Sequence, residues 1–309
     1  MEKRKKSKIQ NAPKCGNGIG ILVVGLLLLP TFYGNAQHTN KLLFFNTDWG
    51  RTDSWDVFCE RTKSAGYDGL ETWLPQNQKE QKELKAALEK HGLLVGFLNG
   101  TNRVLPFQES LARYREHLTK LIAWEPSYIN CHTGSDFFTF EQNKAFIEIA
   151  ITASKESGIP IYHETHRGRF SYNLPDTKKY LSAVPELQLT LDISHWMVVH
   201  ESLLEGQGEN LELVLERTGH IHARVGHAEG PQVNDPEAPE WKKALERHLD
   251  IWENTIHKKR ENKRACTITT EFGPPDYMPT LPYNRMPVSD QWKANVFMMN
   301  ALKKRIGAH

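Results

Sequence analysis

Cysteine is scarce in this sequence. Only four of the 309 residues are cysteine, namely Cys15, Cys59, Cys131 and Cys266. The last three lie far apart and are odd in number, so they do not form the disulfide framework of a small secreted protein. None of the four stands close to another cysteine in the chain, which argues against a structural zinc site built on thiolates.

The chain also lacks an excess of charge of one sign. Its 39 Lys and Arg residues are nearly balanced by 37 Asp and Glu residues, and the formal net charge is +2. Proteins that bind the phosphate backbone of nucleic acids usually carry a strongly basic surface. The composition therefore predicts no nucleic-acid partner.

Long hydrophobic runs are missing as well. The longest apolar run, residues 19–29, is shorter than the about 20 residues that a transmembrane helix needs. It follows a basic segment, residues 2–14, and precedes small residues that end at Ala36. This order predicts a secretory signal peptide over residues 1–36, whose cleavage leaves a single domain of residues 37–309 in the periplasm or outside the cell, without stable membrane insertion. An uncleaved anchor is the alternative.

Beyond this segment, short apolar runs alternate with longer amphipathic ones. Eight runs have the length and composition of strands, and they cover residues 42–46, 69–73, 93–98, 128–132, 159–164, 188–192, 220–224 and 265–271. Eight amphipathic patterns predict helices, and they cover residues 55–64, 78–91, 109–124, 141–157, 176–184, 201–217, 239–262 and 289–306. Such regular alternation indicates βαβ units and a parallel sheet. Eight units predict an α/β protein with a (β/α)8 TIM barrel, and a doubly wound open sheet is the alternative.

Four potential metal ligands stand at the ends of predicted strands. They are Glu164, Asp192, His222 and Glu271. In a barrel of this type the C-terminal ends of the strands meet at one rim, where active sites lie. Three carboxylates and one imidazole suit one divalent cation such as Mn²⁺, Mg²⁺, Co²⁺ or Zn²⁺. For any one of these carboxylates alone, a hydrogen bond or a salt bridge is the simpler explanation.

Further polar residues follow the same strands and are candidates for substrate binding. They are His132, His166, Arg167, His195, Arg224 and His227. A structural or surface role is the alternative for each, and His195 could also bind a second metal. Trp49 and Trp73 could stack on a sugar ring, although packing is the simpler explanation for either residue alone.

The chain resembles the xylose isomerase-like TIM barrels, the sugar phosphate isomerase/epimerase superfamily. The resemblance rests on residues 65–71 (AGYDGLE), 191–195 (LDISH), 220–222 (HIH) and 270–272 (TEF). It implies one divalent metal held by Glu164, Asp192, His222 and Glu271. It also implies that Glu164 and Glu271 act as a paired acid and base, and that His195 contacts the substrate.

One departure from the family pattern leaves the substrate open. Ketose 3-epimerases of this superfamily carry an arginine six residues after the metal-binding histidine of the seventh strand. Here that position is Ala228, and Arg224 stands only two residues after His222. Because sugar phosphates are mostly cytosolic, predicted export favours a free or keto sugar as substrate.

We therefore expect an exported, metal-dependent sugar isomerase or epimerase that acts by proton transfer. Three alternatives remain at this point: a lyase or deglycosidase-like enzyme on keto-glycosides, a non-catalytic sugar-binding protein, and an endonuclease IV-like enzyme with several zinc ions. A carbohydrate is the expected partner. Association into oligomers is possible, but the helical patterns do not indicate how.

Overall fold

The computed structural model describes residues 42–307, and the predicted signal peptide lies outside this range. Its cleavage and the export of the protein therefore stay predictions. Within residues 42–307, no helix is both long enough and apolar enough to cross a membrane.

The described residues form a closed barrel of eight parallel strands in sequence order. The strands are β1 (Leu42–Thr47), β2 (Gly69–Trp73), β3 (Leu94–Gly100), β4 (Tyr128–His132), β5 (Ile161–Glu164), β6 (Leu189–Leu191), β7 (Thr218–Ala223) and β8 (Cys266–Thr270). The helices of residues 42–307 are α1 (Trp55–Ser64), α2 (Gln78–His91), α3 (Phe107–Ile122), α4 (Phe140–Ser157), α5 (Leu174–Ala183), α6 (Ile193–Val199), α7 (Gly208–Arg217), α8 (Lys242–Glu261) and α9 (Gln291–Arg305). The predicted (β/α)8 barrel is confirmed, and the doubly wound alternative is wrong.

Local capping chemistry sets several helix ends. The Ser54 side chain caps α1, and Thr139 and Gln142 form a capping box at the start of α4. These side chains satisfy backbone N–H groups that have no partner inside the helix. Gly92 and Gly158 end α2 and α4 with φ angles of 60° and 73°, a left-handed conformation that glycine adopts without strain.

Aromatic rings close the N-terminal end of the barrel interior. Phe45 and Tyr128 pack there edge to face, with ring centroids 5.0 Å apart. Glycines on neighbouring strands make room for such rings, since a Cβ atom on Gly96 would lie 2.3 Å from Cζ of Tyr128. A side chain on Gly219 would clash with Tyr162 in the same way, at 2.1 Å. Large aromatic rings therefore occupy this part of the barrel interior, and glycines on the strands accommodate them.

The predicted helix over residues 201–217 is wrong in its first half. Helix α7 begins only at Gly208. The preceding turn contains residues with positive φ angles, including Leu204 at 58° and Gly206 at 74°. A right-handed helix cannot continue through such a turn, although the apolar spacing of the segment resembles that of a helix.

A short helix that the sequence did not predict lies immediately after β6. In α6 the Asp192 side chain acts as the N-cap and accepts a hydrogen bond from the Ser194 amide. The helix is only 7 residues long, which is too short to give a clear periodic pattern. Its first turn places His195 beside Asp192 at the rim of the barrel.

Candidate metal centre and active site

The four predicted metal ligands converge at the C-terminal end of the barrel. One ligand atom from each of Glu164, Asp192, His222 and Glu271 lies within 4.8 Å of the others. Glu164 ends β5, His222 lies in β7, and Asp192 and Glu271 directly follow β6 and β8. All four side chains are buried. Closure of the barrel thus brings together residues that are up to 107 positions apart in the sequence.

His222 lies between two of the carboxylates. Its Nδ1 atom is 3.0 Å from Oε2 of Glu271 and 3.6 Å from Oε2 of Glu164. Burial by itself lowers the pKa of His222, but the carboxylates of Glu271, Glu71 and Glu164 together raise it well above its ordinary value. In this arrangement the imidazole is doubly protonated and positively charged, unless a metal ion replaces one of its protons.

Arg224 supplies a second positive charge to the cluster. Its Nη2 atom donates a hydrogen bond to Oδ2 of Asp192, and its Nη1 atom lies 3.5 Å from Oε2 of Glu271. Burial raises the pKa of Asp192 to about 6 even though the guanidinium opposes this shift. The structure therefore places Arg224, which was predicted to bind substrate, in contact with two of the predicted metal ligands.

The charge balance of the cluster fits a divalent cation. Four buried carboxylates, Glu71, Glu164, Asp192 and Glu271, face Arg224 and the His222 imidazole. Even with both bases protonated, negative charge remains in a site shielded from water, which is costly unless a further cation is present. Within residues 42–307, Glu271 Oε2 and His222 Nδ1 also have no hydrogen-bond partner. The donor set of carboxylate oxygens and one imidazole suits the metals predicted above.

Polar side chains anchor Glu164 on its other side. Asn130 donates a hydrogen bond of 2.7 Å to Oε2 of Glu164, and His132 Nε2 lies 2.8 Å from the same atom. Burial would raise the pKa of Glu164, but the charges of His132 and His222 lower it well below its ordinary value. Glu164 is therefore held as a carboxylate anion. The sequence gave no indication of the contribution from Asn130.

His166 and His195 pack against each other beside Glu164, with ring centroids 3.9 Å apart and ring planes inclined by 51°. Ligand atoms of Glu164, His166 and His195 lie close enough to form a second metal-binding group. However, Nε2 of His195 lies 3.0 Å from Nη2 of Arg224, which can only donate a hydrogen bond. His195 must then accept at Nε2 and carry its proton at Nδ1. This tautomer favours substrate binding by His195 over coordination of a second ion.

A cavity of about 450 Å³ opens onto the cluster. It is lined by Thr47, Asp48, Trp49, Gly50, Arg51, Trp73, Leu98, His132, Glu164, His166, Arg224, Glu271 and Tyr277. Trp49 and Trp73 remain 37% and 45% exposed, so their rings are available to a ligand. Tyr277 packs edge to face against Trp49, at 4.9 Å between ring centroids.

Arg167 and His227, which were also predicted to bind substrate, differ in their position relative to the cavity. Arg167 donates a hydrogen bond of 3.2 Å to the Tyr277 hydroxyl, which puts it at the edge of the cavity. His227 does not line the cavity. Its backbone pairs with Gly230 in the loop after β7, and its ring packs on Trp241 at 4.6 Å. The structure thus offers a structural role for His227 and no contact with the predicted site.

Two acidic residues near the site were not predicted as functional. Glu71, in β2, is 1% exposed and contacts both His220 and His222. Asp48, which follows β1, lines the cavity, and burial raises its pKa to about 6. In the sequence, Glu71 is the one charged residue of the strand GLETW and the last residue of the motif AGYDGLE, and neither feature reveals its partners.

Three solved structures show the same fold at low sequence identity. A 3-keto-D-glucoside 4-epimerase from E. coli is 16% identical, with a TM-score of 0.58 and coverage of 85% of this chain and 100% of that chain. A D-allulose 3-epimerase from Methylomonas sp., in complex with D-allulose, is 16% identical, with a TM-score of 0.59 and coverage of 86% and 97%. A xylose isomerase-like TIM barrel protein from Mycobacterium smegmatis, in complex with magnesium, is 10% identical, with a TM-score of 0.58 and coverage of 85% and 97%.

No curated protein matches this sequence. The family model for the xylose isomerase-like TIM barrel matches residues 59–256, a segment that includes β2 to β7 and three of the four predicted ligands. With the closed barrel of residues 42–307, this match shows that the chain belongs to the xylose isomerase-like TIM barrel family.

Proposed function

We propose that this protein is a divalent-metal-dependent isomerase or epimerase that moves a proton on a free or keto sugar. The observation that carries the proposal is the position of Glu164 and Glu271. Both carboxylates belong to the predicted metal cluster and both line the cavity where a substrate would bind. Removal of a proton from one face of a carbon and its return to the opposite face call for two such groups.

Glu164, Asp192, His222 and Glu271 would hold the metal. A divalent cation bound there supplies Lewis-acid polarisation, which acidifies a C–H bond next to a sugar carbonyl. The ligand atoms come from four different strands or strand ends of a rigid barrel, so their positions are fixed before any substrate arrives.

The two glutamates have different surroundings, which suits different roles. Asn130 and His132 hold Glu164 in one position as an anion. Glu271 lies at the cavity, and its Oε2 atom has no hydrogen-bond partner within residues 42–307. We assign the acid and base functions to this pair. Return of the proton to the same carbon from the opposite side gives an epimer, and return to the neighbouring carbon gives an isomer.

The shape and lining of the cavity support a carbohydrate substrate. Trp49 and Trp73 offer exposed aromatic faces, and sugars present C–H groups that pack on such faces. Side chains of His132, His166 and Arg224 offer hydrogen-bonding groups around the same space. A volume of about 450 Å³ lies within the range of small-molecule sites.

Predicted export narrows the substrate further. If the signal peptide over residues 1–36 is cleaved, the enzyme acts in the periplasm or outside the cell, where free sugars and glycoside-derived keto sugars are available. The similarity in fold to an epimerase of a 3-keto-D-glucoside is in line with this substrate class. We therefore place a free or keto sugar ahead of a sugar phosphate.

Solvent exchange tests the reaction directly. The Mn²⁺-loaded protein is incubated in D₂O with methyl 3-keto-glucoside, D-fructose or D-allulose, and the products are followed by NMR. Deuterium at a carbon next to the carbonyl, together with an epimer or isomer, supports the proposal. Release of methanol instead would establish elimination from a keto-glycoside, the lyase alternative. Binding without exchange for every sugar would identify a non-catalytic sugar-binding protein.

A further inference from the structure

Glu71 lies inside the barrel next to the proposed metal centre but is not one of its four ligands. Its Oε1 atom is 2.9 Å from Nε2 of His222, and its Oε2 atom is 3.3 Å from Nε2 of His220. Both oxygens are buried, and neither has a hydrogen-bond partner of regular geometry within residues 42–307, so the two histidine contacts are close charge contacts. The two histidines are therefore the groups that face this carboxylate.

The contact with Glu71 decides which nitrogen of His222 carries a proton. The Glu71 carboxylate lies 2.9 Å from Nε2 of His222 and 3.3 Å from Nε2 of His220, and an ionised carboxylate can only accept hydrogen bonds. The facing Nε2 atom of His222 must then be protonated. Its Nδ1 atom, 3.0 Å from Glu271 and 3.6 Å from Glu164, is left to offer its lone pair to a metal.

A competing contact is weaker. The Asn130 amide nitrogen lies 3.2 Å from the same Nε2 atom of His222, and it would favour the opposite tautomer. That amide makes a shorter hydrogen bond of 2.7 Å to Glu164. The carboxylate of Glu71 is closer to Nε2 and carries a full negative charge, so it prevails.

Buried side chains also fix the position of His220, the second histidine that faces Glu71. Nδ1 of His220 lies 2.7 Å from the Thr267 hydroxyl, which orients the ring toward Glu71. The Thr269 hydroxyl lies 3.3 Å from Nε2 of His220 and 2.9 Å from the Tyr128 hydroxyl. These side chains are buried, so the row of contacts is shielded from water.

We propose that Glu71 is a positioning residue that orients His222 with Nδ1 toward the metal and makes this imidazole a stronger ligand. The inference rests on the proposed metal centre. A carboxylate that hydrogen-bonds a ligating histidine typically contributes about 10–100-fold to metal affinity. In the metal-free protein the same carboxylate adds buried negative charge, which is costly. Glu71 is therefore expected to favour metal binding at no gain to the stability of the metal-free barrel.

The test measures metal affinity and metal-free stability side by side. Chelator-stripped wild type and Glu71→Gln are titrated with Mn²⁺ by calorimetry, and the Tm of each metal-free protein is measured. Glutamine keeps the size and a hydrogen-bond acceptor but removes the charge. We expect binding about 10–100-fold weaker, with a metal-free Tm that is unchanged or higher. Glu229→Gln, the same change at an exposed glutamate, should alter neither quantity.

Other results would overturn the inference in distinguishable ways. Equal Mn²⁺ affinity of Glu71→Gln and wild type would remove the role of Glu71 and leave the metal centre intact. A fall in metal-free Tm alongside the loss of affinity would mean that Glu71 supports the barrel rather than the ligand. A wild type that binds no Mn²⁺ would overturn the metal centre together with this inference. In the Zn²⁺-loaded protein, nitrogen-15 NMR should show the His222 proton on Nε2, and a proton on Nδ1 would contradict the assignment.

Discussion

The Arg224 guanidinium bridges two predicted metal ligands, because it donates to Asp192 and lies 3.5 Å from Glu271. A permanent cation thus lies beside the position of a proposed divalent one. In the metal-free protein it compensates part of the buried negative charge. In the sequence, Arg224 stands only two residues after His222, and this placement bears on both stability and substrate binding.

Replacement of Arg224 should show how much of the buried negative charge this residue compensates. Arg224→Gln leaves Asp192 buried without its charged partner, and breaking such a pair typically costs about 3 kcal/mol of unfolding free energy. We expect this loss in urea unfolding of the chelator-treated protein. Saturating Mn²⁺ should recover more stability in the variant than in wild type, since the metal then compensates a larger unbalanced charge. Equal losses with and without Mn²⁺ would contradict this view.

Glu271 should be needed for turnover and not for folding. Glu271→Gln removes the acid or base function, which typically contributes about 10²–10⁴-fold to the rate. The expected result is a drop of this size in the rate of deuterium incorporation, measured at saturating Mn²⁺ so that weaker metal binding does not limit it. Glu229→Gln serves as the exposed control. A variant rate close to that of wild type would refute the acid/base assignment.

Trp73 should contribute to sugar binding rather than to the chemical step. Its ring is 45% exposed at the cavity and packs edge to face on His132. Loss of one aromatic platform is worth about 1 kcal/mol, which predicts a KM several-fold higher for Trp73→Ala with kcat nearly unchanged. Tyr283→Ala removes a fully exposed ring that does not line the cavity and should leave both constants unchanged. A fall in kcat alone for Trp73→Ala would point to a role in orienting His132.

Stability should fall on mild acidification because of His248, a buried histidine of helix α8. His248 donates from Nδ1 to the Ala244 carbonyl at 2.7 Å and accepts from the Gly226 amide at 3.2 Å. Burial lowers its pKa from 6.5 to about 4. The unfolded chain therefore binds this proton first as the pH falls. The stability linked to His248 is complete above pH 6.5 and is lost progressively down to about pH 4.

The expected size of this effect is about 2 kcal/mol between pH 7.5 and pH 5. Urea unfolding of the chelator-treated protein at the two pH values measures it. His248→Gln cannot take up the proton, so its stability should depend less steeply on pH than that of wild type. Parallel pH dependence in the two proteins would show that His248 titrates normally in the folded state.

The sequence predicted the barrel and the convergence of the ligands because both follow from simple geometry. Helices α1 and α2 agree with their predicted bounds, and every parallel strand presents its C-terminal end at the same rim. A Glu, Asp, His and Glu at four such ends must therefore approach one another once the barrel closes. The local motifs were sufficient for this inference.

Contacts across the barrel could not be predicted in the same way. Glu71 meets His222 only because β2 and β7 face each other across the closed interior, 151 residues apart in the sequence. The short helix α6 and the turn before α7 depend on single backbone conformations, such as the positive φ of Leu204. His227 packs its ring on Trp241, which its position in the sequence did not indicate, and its role in substrate binding stays a prediction.

The metal content of the protein tests the central claim most directly. Elemental analysis of purified wild type, after reconstitution with Mn²⁺, Co²⁺, Mg²⁺ or Zn²⁺, should give about one ion per chain, a stoichiometry expected from a single four-ligand site. Asp192→Ala and His222→Ala should each lower this content, while Glu229→Gln should not. Two or three zinc ions per chain would instead indicate an endonuclease-like cluster. No bound metal in the reconstituted wild type, or full occupancy in both ligand variants, would contradict the proposed centre.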